Sequence, residues 1–223
     1  MTSYAAVWEA LSSVRDPELD RPITSLGFVA SVTVAGEIRV ELRLPTYFCA
    51  PNFAWLMVAD ARDAVAALPG AAQVTVVLLE HFVSAEINEG VAAVSGFAAK
   101  FDADGLDPDL ESLRTTFERK AHLAAQERLA RKLAPQVPDL TAVTMAAAAR
   151  LAPAEASAVA RRRSRVGITS EFALCGPSGE RLTEADLPGW LRFARTVRVS
   201  IEGNAGFCQG LLRTRYNLDS PAA

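Results

Sequence analysis

The sequence predicts an α+β fold: a small two-layer α-β-β-α-β module followed by a mainly helical C-terminal region. Three observations carry that expectation. Glu37 to Leu44 alternate polar and apolar without a break, as a strand with one wet and one buried face requires. Pro51 heads an apolar stretch, a position where its missing N–H costs a helix nothing. Beyond residue 106, apolar residues recur at helical spacing.

Taken in order, the first helix is expected from Tyr4 to Val14, with Val7, Leu11 and Val14 on one face and Asp16-Pro17 as breaker. Pro22 to Gly27 reads as an extended segment. Phe28 to Val34 is rich in β-branched residues, Ala35-Gly36 offers a tight turn, and the alternating run completes a hairpin. The helix opened by Pro51 presents Phe53, Met57, Ala61, Ala64 and Leu68, and stops at Pro69-Gly70. Val74 to Leu79 reads as a third strand, buried on both faces, and the strand–helix–strand order implies a right-handed parallel crossover.

His81 to Lys100 is weakly patterned and interrupted by Gly90 and Gly96. Asp102-Ala103-Asp104-Gly105 reads as a linker, dividing a domain over 1–100 from a helical region over 106–223. Asp107-Pro108 opens a long helix with Leu110, Leu113, Phe117, Ala121, Ala124 and Leu133 inward. Shorter helices are expected near Thr141–Leu151 and Pro153–Arg163, and further pieces at Trp190–Val197 and Ala205–Tyr216.

The chain has 223 residues, half of them hydrophobic, and a formal net charge of −3, which excludes a disordered composition. Its longest uncharged runs, 44–59 and 64–79, contain proline or glycine and fall short of the roughly 20 apolar residues of a membrane span. The N-terminus lacks the basic patch and apolar core of a secretory signal. Three widely spaced cysteines, Cys49, Cys175 and Cys208, make no disulfide framework, and free thiols fit a reducing compartment. A cytoplasmic location without membrane association is therefore expected. Residues 1–105 carry a net charge of −7 and residues 106–223 one of +4, too mild for a nucleic-acid footprint.

Cys49 is the most informative position. With Pro51 first in its helix, Ala50 becomes the cap and Cys49 lies one residue outside, at the positive end of the helix dipole. That placement favours a thiolate, which is a nucleophile or a soft metal ligand. The alternative is a small apolar plug at a strand-to-helix corner. Asp16 and Glu18 face this corner if their loop packs over the helix start; otherwise they form an acidic turn beside the first helix. Glu80 and His81, followed by Glu86 and Glu89, offer harder ligands, although a solvated strand end is the simpler reading.

His122 should lie on the wet face of the long helix. Cys208 is a weaker candidate ligand, but it shares a helical face with Leu211, Leu212 and Arg215, so burial as a small hydrophobe is the default. Cys175 lies in a turn, open to solvent. Arg161-Arg162-Arg163 and Arg165 form a basic run, expected as a solvated helix end. The chain has no Cys-x-x-Cys, so it lacks a standard four-thiolate cluster site of its own. It has neither a glycine-rich phosphate loop nor a Gly-x-Ser-x-Gly elbow. A cysteine hydrolase or transferase would need His81 to reach Cys49.

Four separated motifs occur in one order: Asp16-Pro17-Glu18-Leu19, Ile23-Thr24-Ser25-Leu26-Gly27-Phe28-Val29, Thr46-Tyr47-Phe48-Cys49, and Leu68-Pro69-Gly70 before a valine-rich strand. Together they resemble the small iron–sulfur assembly domain of the SufT-like and phenylacetate-degradation D-like proteins, relatives of the cytosolic iron–sulfur targeting factors. The resemblance covers about residues 4–80. It implies a non-enzymatic accessory role in maturing iron or iron–sulfur proteins, with iron or a cluster held transiently. The family's reactive cysteine maps onto Cys49, its neighbouring hydroxyl onto Thr46, and its acidic motif onto Asp16 and Glu18. The family's frequent Cys-Pro is here Cys49-Ala50-Pro51, which shifts the sulfur by one residue from the helix start.

The C-terminal half is similar to accessory proteins of soluble di-iron monooxygenases, on Glu202-Gly203-Asn204-Ala205-Gly206-Phe207-Cys208 and Leu211-Leu212-Arg213-Thr214-Arg215-Tyr216. That likeness implies an oxygenase subunit as client, recognised by the helical region. A cluster would then be shared across a homodimer, held with glutathione or handed to the client. The alternative is a metal-free assembly chaperone of a di-iron monooxygenase subunit, in which Cys49 is structural.

Overall fold

The hairpin forms as its alternation demands. In the computed structural model, which describes residues 2–101 and 110–218, β1 (Val29–Ala35) pairs antiparallel with β2 (Glu37–Leu42). Val32 stands opposite Val40, and Gly36 makes the turn at φ 85°, a left-handed value that glycine adopts without strain. β3 (Val74–Leu78) pairs parallel with β2, so the sheet order is β1-β2-β3. The fold is α+β. The expected linker at 102–105 and helix opening at Asp107-Pro108 lie outside the described residues.

Two compact units are present: Met1–Leu110 with Gly203–Ala223, and Glu111–Glu202. The expected C-terminal region thus divides between them.

In the first unit, α1 (Tyr4–Ser13) is capped by Ser3, whose hydroxyl accepts from the Ala6 N–H. It packs with α3 (Pro51–Ala66) and against the sheet. Ile38, Val40 and Leu42 turn into the shared core, while Arg39 and Glu41 pair with one another on the outer face. β3 is buried on one face only, through Val76 and Leu78, rather than on both. A sheet with one dry and one polar face explains the difference. β3 finds further partners for Leu78, whose N–H donates to Asn88 Oδ1 and whose carbonyl accepts from Asn88 Nδ2.

Two segments depart from expectation. Pro22 to Gly27 is not extended: Ile23–Leu26 is a single helical turn, α2, ended by Gly27 at φ 79°. The weakly patterned stretch after β3 holds two helices, α4 (Ser84–Ala92) and α5 (Ala98–Phe101). Trp55 stands edge-on to Phe97 and Phe101, and its ring lies against Gly90.

The second unit is built from α6 (Leu110–Leu133), α7 (Met145–Leu151), α8 (Pro153–Arg165) and the first part of α9 (Leu187–Tyr216). Its larger core cluster is alanine-rich, around Ala125, Leu129, Leu133, Ala148 and Val159. The two C-terminal helical pieces read from the sequence are one continuous helix, α9. No described helix is long and apolar enough to cross a membrane.

His122 is buried at 3% exposure, not on a wet face. Between Ala121 and Ala130 α6 buries residues on most of its sides, and small alanines admit close neighbours there. Burial, helped by Arg163 and Arg162, pushes the His122 pKa down to about 4. Cys175 is likewise buried rather than open, because its N–H donates to the buried Gln126 Oε1 at 2.8 Å. Nor is Arg163 solvated. It turns inward and donates to the carbonyls of Ser170, Phe172 and Ala173.

Candidate functional site

β2 ends at Leu42, and Leu44 and Pro45 stay buried as the chain leaves the sheet. Tyr47 and Phe48 then turn out to solvent, Phe48 at 74% exposure. Cys49 follows, half-buried against the first unit's core. Ala50 caps α3 with no side-chain hydrogen bond, and Pro51 takes the first turn, as the sequence predicts. Thr46 Oγ1 and Cys49 Sγ share a hydrogen bond at 3.2 Å.

The corner is braced from β3. His81 Nε2 lies 2.7 Å from the Cys49 carbonyl oxygen, so it donates there. His81 Nδ1 accepts from the Val83 N–H at 3.4 Å, which completes a neutral Nε2–H tautomer. Burial pushes the His81 pKa down, and Arg215 nearby adds to that. His81 is therefore a buried brace on the cysteine's backbone, not a solvated strand end, and its bond is to the carbonyl rather than the sulfur. The Phe82 N–H donates to the Tyr47 carbonyl at 3.0 Å, and the two rings lie 6.2 Å apart, so the outer lip of the corner is aromatic.

Asp16 is buried at 7% exposure, and its Oδ1 accepts from the Leu19 N–H at 2.8 Å. Desolvation, with Glu18 as a lesser like charge, pushes its pKa up to about 6. Glu18 is partly exposed and accepts from Asn204 Nδ2 at 3.1 Å. Glu80 is exposed. Its carbonyl accepts from Arg215 Nη2 at 2.7 Å, and the same guanidinium donates to the Leu44 carbonyl at 3.1 Å.

The C-terminal part of α9 makes these contacts. Ala205 and Leu212 enter the first core, and Leu212 closes on Gly27, where an added Cβ would stand 3.1 Å from its Cδ2. Cys208 lies between them, half-buried. Burial first, then the negative charges of Asp16, Cys49 and Glu18, push the Cys208 thiol pKa up to about 11. The structure thus brings Cys208 into the electrostatic neighbourhood of Asp16, Glu18 and Cys49.

Arg215 and the bracing role of His81 are the features of this corner that sequence reasoning missed. Both act through backbone carbonyls, which leave no residue-type signature. Among the described residues, no group of three or more His, Cys, Asp or Glu side chains is arranged to hold a metal ion.

Residues 4–77, a third of the chain, match the family model described as iron-sulfur cluster assembly protein. The matched span contains the Asp16 loop, the hairpin, the Cys49 corner and all but the last residue of β3. It supports a general role in iron–sulfur cluster assembly, and the family is one of assembly factors rather than catalysts. No curated protein and no solved structure matches the chain.

Proposed function

We propose that this protein is an accessory factor that helps load iron or an iron–sulfur cluster into a client metalloenzyme, an oxygenase, with Cys49 as the transient thiol handle. The carrying observation is the Cys49 corner: a half-buried sulfur at the start of α3, bonded to Thr46 and held through its carbonyl by His81. Iron or a cluster is cargo here. A single thiol holds cargo weakly and releases it readily, as transfer requires, while the remaining ligands come from sulfide, a second copy or the client. Asp16 and Glu18 shape the negative side of the corner. The helical region recognises the client, and the setting is the reducing cytoplasm, where a free thiol persists.

The test is anaerobic reconstitution with iron and sulfide, comparing wild type with Cys49→Ser. The serine variant should retain less than a tenth of the bound iron and fail to activate the client. Equal uptake and equal activation would remove Cys49 from the mechanism.

One observation favours a second reading, a metal-free assembly chaperone of a di-iron monooxygenase subunit. Tyr47, Phe48 and Phe82 form an exposed aromatic lip suited to holding an immature apolar surface. On that reading Cys49→Ser still supports the client, whereas Phe48→Ser does not.

A further inference from the structure

An apolar cavity of about 370 Å³ lies wholly within the second unit. Small-molecule sites occupy roughly 300–1,000 Å³ and combine apolar walls with a few polar anchors. Leu123, Ile168, Pro177, Trp190, Phe193 and Val197 supply the walls here. Two cations, Arg119 and Lys120, join the lining with Gln126, Cys175 and Gly176, and no acidic side chain among the described residues does. Arg119 and Lys120 are exposed, so the positive charge sits at the mouth of a cleft whose walls are apolar.

His122, almost wholly buried and three residues beyond Arg119 on α6, also lines the cavity.

We propose that this cavity binds a small amphipathic carboxylate, its apolar body among Leu123, Trp190, Phe193 and Val197 and its head group beside Arg119 and Lys120. The charge at the mouth selects against cationic amphiphiles, and the apolar walls select against purely polar anions. This site is separate from Cys49 and does not depend on the assembly reading.

Calorimetric titration of the full chain with decanoate, decanol and decyltrimethylammonium, each below its micelle concentration, tests the proposal. Decanoate should bind at least about tenfold more tightly than decanol, as expected for hydrogen bonds to a charged group, and the ammonium should not bind. The double variant Arg119→Ala/Lys120→Ala should bring decanoate down to the level of decanol. Val197→Trp, which fills the cavity, should abolish both. Should that variant fail to fold, Phe193→Ala at an exposed wall residue should weaken both ligands by the same factor. The proposal is overturned by any of three results: no saturable decanoate binding, equal binding of all three probes, or decanoate affinity unchanged in the double variant.

Discussion

Asp16 is a carboxyl group that the fold desolvates more than it compensates. Its pKa is about 6 in the folded chain against 3.8 for an unperturbed side chain, so the native state holds this proton more tightly than the unfolded one. The folded state therefore binds the extra proton between about pH 4 and 6, and stability falls as pH rises through that window. The full effect is up to about 3 kcal/mol, reached above pH 6. Asp16→Asn keeps an acceptor for the Leu19 N–H and removes the charge. It should be the more stable protein at pH 7 and lack the decline between pH 4 and 6, as urea unfolding across that range would show. A variant that keeps the wild-type slope would place the titration elsewhere. At residue level the motif order of Asp16, Thr46 and Cys49 was readable, and Pro51 announced the helix start. The His81 bond to the Cys49 carbonyl was not readable, because it joins residues 32 positions apart through a backbone atom that every residue possesses.

At the scale of elements, Gly90 shows where helical propensity and packing disagree. It lies within α4, where alanine would ordinarily be favoured by about 1 kcal/mol. A Cβ there would stand 2.4 Å from the Trp55 ring, closer than packed atoms tolerate. Gly90→Ala should therefore destabilise the protein by about 1–3 kcal/mol despite the better propensity. Thermal unfolding measures this, and Gly90→Ala should cost markedly less in a Trp55→Phe background. An unchanged or raised midpoint for the single variant would show that propensity wins. The same close approach explains why α4 was hard to read. Its inward residues are Ile87, Gly90 and Val91, so glycine occupies a core position and interrupts the apolar stripe. α2 escaped for a related reason, since one helical turn is too short to display a period. The hairpin and α3 were legible because they are long and regular and carry their turn and cap residues with them.

Across the whole molecule, the buried groups His122 and Asp16 act with opposite sign. His122 has its pKa pushed to about 4, so it is neutral in the native state while the unfolded chain takes up a proton near pH 6.5. Its contribution is fully present above about pH 6.5 and is lost as pH falls toward 4, by up to about 3 kcal/mol. Asp16 in the first unit slopes the other way over nearly the same range. His122→Leu should be less sensitive than wild type to acidification from pH 6.5 to 4.5, as denaturant midpoints followed by circular dichroism would reveal. An identical acid sensitivity would assign the effect to another group.

Neither group's burial is written in its own neighbourhood. Sequence patterns speak for a turn or two of chain at a time, which suffices for the α+β class, the hairpin, the Pro51 helix and the assembly-domain motifs. What surrounds a side chain is settled by segments arriving from far away. Asn204 reaches Glu18 across 186 residues, Cys208 comes under the field of Asp16 and Cys49, and packing around α6 encloses His122. Periodicity is a local property of the chain, whereas desolvation and long-range hydrogen bonds exist only after packing brings those segments together.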